Sequence, residues 1–198
     1  MPGQTFTVVD LFDKSAAEHA NAREVESDYA GLTQQAFEKN YLAVHPHMCN
    51  VVRDYSQDIV KFVPPSGHRF VHIDASHLYE HVVGDIAASQ QLLQPGGVVA
   101  FDDIRDARTP GVAAAVWPVV TRGDLKPLVI TESKLYATKS DSAHWRARLQ
   151  AWLPMSGLPY EVQRIAGQDV VRIKPRATPL RPLPARAYAR VGRKFGWL

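Results

Sequence analysis

Phe70-Val71-His72-Ile73-Asp74-Ala75-Ser76-His77 is an apolar, β-branched run that ends on a carboxylate, with an imidazole three residues further on. One helical stretch and one turn later, Val98-Val99-Ala100-Phe101-Asp102-Asp103 repeats the pattern with two carboxylates at its end. Between them Tyr79, Val82, Val83, Ile86 and Leu93 recur at helical spacing, and Pro95-Gly96-Gly97 closes that stretch. Strand, helix and strand in this order make a βαβ unit with parallel strands ending at one edge of a sheet. Ligands of open parallel sheets bind outside that edge. Asp74, His77, Asp102 and Asp103 are thereby gathered at one ligand-binding border.

The same alternation continues on both sides, which predicts an α/β fold with a mostly parallel sheet. Thr5-Phe6-Thr7-Val8-Val9-Asp10 reads as a first strand that also ends on an acid. A helix over 24–40, a short strand near Asn50–Val52 and a short helix over 56–62 lead to the strand over 69–73. Pro110 opens another helix, to about Val120. The rhythm then changes. Residues 127–131 and 134–138 are two short apolar runs separated by Glu132-Ser133 alone, the spacing of an antiparallel hairpin. A helix over 142–152 and a second hairpin, 160–165 with 169–173 around Ala166-Gly167-Gln168, complete an α/β domain over 1–175.

With 198 residues and 45% hydrophobic content the chain suits one domain with a real core. The longest apolar run, 111–120, is too short to span a membrane, and the amino end lacks a basic segment leading into an apolar one. A cytoplasmic protein without a membrane span is expected. The lone Cys49 has no disulfide partner and no zinc-finger neighbours, and reads as a small core residue. The net charge of +3 is unevenly placed: Arg176, Arg181, Arg186, Arg190, Arg193 and Lys194 fall in a tail over 176–198 that carries no acid. That tail reads as a solvated or partner-packed extension. Pro175, just before it, and Pro179, Pro182 and Pro184 keep its first half extended, 185–195 can form a short helix, and Gly196-Trp197-Leu198 can dock on the body or on a second subunit of a homodimer. No nucleic-acid partner is expected, because the aromatic residues form no stacking platform.

Carboxylate oxygens are the ligands Mg²⁺ prefers. Three acids from adjacent strand ends leave positions open for a substrate hydroxyl, which loses its proton more readily beside a cation. His77, one helical turn past Asp74, is placed to receive that proton. His72 shares the period-two parity of Asp74 but lies inside the strand, and reads as a satisfied core or supporting histidine. His45, His47, His68 and His144 have no partner pattern and read as surface or loop residues. An acid at the end of a first strand, such as Asp10, can accept two hydrogen bonds from ribose hydroxyls of a nucleoside cofactor.

These residues resemble the class I S-adenosylmethionine-dependent methyltransferases, and within them the Mg²⁺-dependent O-methyltransferases of the macrocin and sugar type, with catechol O-methyltransferase a more distant relative. The likeness rests on Ile73-Asp74-Ala75-Ser76-His77-Leu78-Tyr79-Glu80 and on Leu92-Leu93-Gln94-Pro95-Gly96-Gly97-Val98-Val99-Ala100-Phe101-Asp102-Asp103. It implies a Rossmann-like methyltransferase sheet, Asp74, Asp102 and Asp103 as metal ligands, and His77 as general base where the catechol enzymes carry lysine. Asp54-Tyr55-Ser56-Gln57-Asp58-Ile59-Val60 resembles the segment that holds the adenine of S-adenosylmethionine, with Ser56 and Gln57 at the contacting positions; Asp10 matches the ribose-binding acid. Asp74 is shared between cofactor and metal. The implied reaction is methylation of a hydroxyl on a sugar or glycosylated natural product. The alternative is a non-catalytic remnant of the fold that serves binding or assembly.

The family departs from this sequence at one point. Its first strand and Gly-rich loop lie between the strand ending at Asp10 and the one ending at Asp74, and precede the Asp10 position in sequence. Here Met1 to Gln4 alone precede the first apolar run. The resemblance therefore implies a gap at the centre of the sheet. It reads the chain as a piece of a longer enzyme, ahead of a chain that borrows a strand or a remnant that no longer binds cofactor.

Overall fold

In the computed structural model residues 5–28 and 31–174 are described. The basic tail and its expected short helix lie outside them. Strand β1 (Thr7–Val9) pairs in parallel with β2 (Asn50–Val52), both short and β-branched. Between them stand two helices, α1 (His19–Asp28) and α2 (Gln34–Leu42), where a single helix over 24–40 was expected. Thr33 starts α2 afresh: its backbone is extended, at φ −101° and ψ 153°, and its side chain accepts a hydrogen bond from the Ala36 N–H at 3.1 Å. Such a cap contributes about 1 kcal/mol to the helix it starts.

A 3₁₀ turn over Ser56–Lys61 leads to β3 (His68–Ile73), α3 (Tyr79–Leu92) and β4 (Leu93–Phe101). Next come α4 (Pro110–Arg122), β5 (Lys126–Ile130), β6 (Leu135–Thr138), α5 (Ala143–Ser156), β7 (Tyr160–Ile165) and β8 (Gln168–Ile173). The six strands from β3 onward form one sheet in the order β3-β4-β6-β5-β8-β7. β3, β4, β5 and β8 run one way, while β6 and β7 oppose them. The result is the expected α/β sheet, mostly parallel, with β5–β6 as the antiparallel hairpin near its end.

Pro95-Gly96-Gly97 does not separate helix from strand as expected, because β4 begins directly at Leu93 and includes all three residues. Gly97 allows this. A Cβ there would sit 2.9 Å from the His68 carbonyl oxygen, closer than side chains tolerate. Gly96 is held from the other side, its N–H donating to Ser140 Oγ at 3.0 Å and its carbonyl accepting from Trp145 Nε1 at 2.9 Å.

The main core lies between this sheet and helices α3 and α4, with Leu93, Val99, Phe101, Val116, Val120 and Leu135 fully or almost fully buried. A second cluster joins Ile59 to Ala88 and Leu92 of α3, with Val9, Val52 and Val71 packed against it. Val71 touches both clusters. The β1–β2 ladder is a sheet of its own, and β3 stands at the end of the larger one. Among the described residues the same helical layer therefore covers two sheets that share no ladder. Cys49, expected in the core, is only half-buried beside β2.

Candidate active site

Register places the acids. In the parallel β3–β4 pair His72 faces Ala100 and Ile73 faces Phe101, so Asp74 and Asp102 are the next pair beyond the ladder. The Asp102 N–H donates to the Ile73 carbonyl at 3.0 Å and holds the two tips together. Asp103 follows with φ 51°, in the left-handed region that a non-glycine residue enters at a cost of about 1 kcal/mol. Two bonds support the turn: the Asp103 N–H donates to Asp102 Oδ1 at 3.0 Å, and Thr109 Oγ1 donates to the Asp103 carbonyl at 3.2 Å. The strained backbone turns Asp103 toward His77, whose Nε2 lies 3.2 Å from Asp103 Oδ2.

The expected metal-binding residues are brought together, though in two overlapping groups. His72, Asp74 and Asp102 offer ligand atoms within 4.8 Å of one another, and so do Asp74, His77 and Asp103. Asp74 belongs to both, while Asp102 and Asp103 fall in different groups. Oxygen-rich donors of this kind suit a hard divalent cation. His72, read as a core or supporting histidine, is not in the core and stands beside Asp102 and Lys134. Its ring is 39% exposed and its Nε2 lies 3.7 Å from Asp102 Oδ2. Partial burial and the Lys134 ammonium hold it below the ordinary histidine pKa, with Asp74 pulling the other way. His68, expected on the surface or in a loop, opens β3 and is half-buried.

Beside this cluster a cavity of about 250 Å³ opens between the carboxyl ends of β1, β2 and β3. Asp10, Ser56 and Asp74 line it, with Phe12, Leu32 and Tyr55 among the apolar and aromatic walls. Burial raises the Asp10 pKa above its ordinary value, partly offset by the Phe12 N–H that donates to Oδ1. Gln57, expected beside Ser56 at the cofactor, is not among the lining residues. It packs instead on Gly84 of α3, where a Cβ would overlap Gln57 Oε1.

Three residues escaped the sequence reading. His81 lines the cavity, is buried, and meets Glu18 Oε2 at 2.8 Å. Asp85, one turn along α3, is buried, and burial raises its pKa to about 6 although Ser56 and His81 draw it down. His81 and Asp85 stand four residues apart on α3, the spacing of one helix face, and that signal was available in the sequence. Lys134 is the third. It donates to Asp102 Oδ2, and its Nζ lies 3.3 Å from His72 Nε2.

A family model described as "Methyltransferase domain" matches residues 3–104, just over half of the chain and the whole stretch from β1 to the Asp102-Asp103 turn. No curated protein matches the sequence. Among solved structures the chain is similar to the O-methyltransferase NovP, with TM-score 0.53 and 17% identity over 69% of this chain and 60% of that one. It also matches CalS11, a TDP-rhamnose 3′-O-methyltransferase of calicheamicin biosynthesis, with TM-score 0.49 and 17% identity over 70% of this chain and 60% of that one. The chain thus spans about 60% of the length of these solved structures. At such identity the likeness to NovP bears on the fold.

Proposed function

Since this chain belongs to the methyltransferase-domain family, we propose that it serves a Mg²⁺-dependent transfer of a methyl group from S-adenosylmethionine to a hydroxyl of a sugar or glycosylated natural product. The observation that carries the reading is the double placement of Asp74, which lines the cavity holding Asp10 and Ser56 and also belongs to both clusters of His and Asp side chains at the strand tips. Cofactor and acceptor sites would then share one wall.

Asp10 would accept hydrogen bonds from ribose hydroxyls, and Ser56 would border the adenine. S-adenosylmethionine supplies an electrophilic methyl group on a sulfonium. Mg²⁺, with Asp74, Asp102 and Asp103 to hold it, supplies charge that makes the acceptor hydroxyl more acidic. His77 Nε2 takes the hydroxyl proton, and Asp103 Oδ2, 3.2 Å away, steadies the resulting imidazolium. Positioning and charge stabilisation provide most of the rate in such a step. A sugar acceptor is preferred because the resemblance to the macrocin-type enzymes includes His77, where the catechol enzymes carry lysine.

Calorimetry of S-adenosylmethionine and its demethylated product against the full chain, with and without Mg²⁺, tests the reading. Saturable binding at micromolar affinity supports it, and a folded sample that binds neither ligand overturns it. One observation favours the alternative of a non-catalytic binding module: among the described residues the β1–β2 ladder that bears Asp10 is not joined to the main sheet. On that alternative the cavity binds neither ligand and the fold persists unchanged.

A further inference from the structure

Lys134 stands at the acidic cluster because the sheet puts it there. The antiparallel β4–β6 pair sets Ala100 against Tyr136 and Phe101 against Leu135, so the next facing pair beyond the ladder is Asp102 and Lys134. With Asp74 beside Asp102 across β3 and β4, the three residues form one row over three neighbouring strand tips. Directly facing residues project to the same side of a sheet.

The hairpin turn that carries the lysine is closed and anchored. The Thr131 N–H donates to the Lys134 carbonyl at 2.8 Å, and the Lys134 N–H donates to Thr131 Oγ1 at 2.9 Å. The Ile104 N–H donates to the Ser133 carbonyl at 2.9 Å, which fastens the turn to the segment just after Asp103. The ammonium is thus delivered to the carboxylate by a braced backbone, not by a chance surface rotamer. Both partners are sheltered, with side-chain exposures of 30% for Lys134 and 14% for Asp102.

From this geometry we infer that Lys134 is a tethered cation that competes with a divalent metal ion for Asp102, so that the metal affinity of the site is set by displacement of its ammonium. The inference rests on the metal reading proposed above. Two cations cannot share one carboxylate oxygen without strong repulsion, and the sheltered position limits screening by solvent. Asp103 makes its close contact with the His77 ring instead. The competition therefore falls on Asp102. With no ion bound, the ammonium offsets the mutual repulsion of clustered carboxylates; when an ion enters, it must release Asp102 Oδ2. The four-carbon stem of lysine permits that movement without disturbing the hairpin.

The test is titration of the full chain with Mn²⁺ and with Mg²⁺, followed by calorimetry and by the loss of the free-Mn²⁺ resonance signal, in the absence of any methyl donor. Lys134→Met is expected to bind either ion at least tenfold more tightly than the unaltered chain, and Lys134→Arg no more tightly than the unaltered chain. Lys134→Gln, which keeps a polar head at the turn, repeats the comparison in a variant with little reason to misfold, and it too is expected to tighten binding. Equal or weaker binding by both the Met and Gln variants overturns the competition while leaving a metal site standing. Failure of every variant and of the unaltered chain to bind either ion at millimolar concentration overturns the competition and the metal reading together.

Discussion

His77 illustrates how much one side chain is asked to do. Its Nε2 faces Asp103 Oδ2 at 3.2 Å and its ring is only 13% exposed, so a proton taken there is held beside a carboxylate and sheltered from bulk water. His77→Ala is expected to lower turnover by about 10²- to 10⁴-fold, with affinity for S-adenosylmethionine unchanged by calorimetry. An equal loss of cofactor affinity would remove His77 from the role of base. Asp85 makes a different prediction, about stability. Its pKa rises from 3.8 to about 6 on burial, so the folded state binds more protons than the unfolded chain between those values. Its contribution is most favourable below pH 3.8, is lost as pH rises through about 6, and above that leaves a cost of about 3 kcal/mol. Asp85→Asn should therefore stabilise the protein at pH 7.5 and have little effect near pH 3.5, as read by urea unfolding. A difference independent of pH would show that Asp85 keeps its charge state on folding.

The βαβ unit from β3 to β4 is the element on which the site is built, and its packing against α4 can be tested at Gly111. A Cβ on Gly111 would lie 2.5 Å from the His77 carbonyl oxygen and 2.9 Å from the Tyr79 N–H nitrogen, so α4 approaches the backbone that carries His77 through this glycine. Gly111→Ala is expected to destabilise the fold by about 1–3 kcal/mol, as overpacking does, and to lower turnover by moving His77. Unchanged unfolding midpoint and activity would mean that α4 shifts without cost. The acids of this unit were legible in the sequence because each ends an apolar, β-branched run and the connection is one helix long. Lys134 was not. Its hairpin could be recognised from the two-residue spacing, but only the register of β6 against β4 sets Lys134 beside Asp102. His72, read as a core or supporting histidine, stands outside the core for a related reason: β3 ends the larger sheet, so a mid-strand side chain there is more open to water than one in a central strand.

Over the whole molecule the two sheets differ in what holds them. In the six-stranded sheet β4, β5, β6 and β8 bury side chains in the main cluster, whereas the β1–β2 pair makes three facing pairs and leans on the small cluster around Ile59, Ala88 and Leu92. Two isolated strands are marginal in water. Amide hydrogen exchange followed by mass spectrometry is expected to show Thr7–Val9 and Asn50–Val52 exchanging at least tenfold faster than Leu93–Phe101. S-adenosylmethionine should slow exchange in both short strands, because Asp10 and Ser56 line the same cavity. Uniform protection across the two sheets would mean that they open as one unit. Gln57, which the resemblance sets beside the cofactor with Ser56, packs against α3 because Gly84 leaves room for it there.

The amino-acid sequence by itself determined the order of strands and helices from β3 onward, the parallel βαβ core, and the placing of Asp10, Asp74, Asp102 and Asp103 after strands. These follow from short-range causes: side-chain periodicity, chain punctuation and the length of one crossover. Tertiary structure alone decided which side chains meet. The grouping of Asp74 with His72 and Asp102 on one side and with His77 and Asp103 on the other, the ion pair of Lys134 with Asp102, and the burial of His81 and Asp85 beside the cavity all depend on strand register and helix packing between residues far apart in the chain. A shift of one residue in register would turn Lys134 to the other face of the sheet, and nothing within its own hairpin sequence forbids that shift.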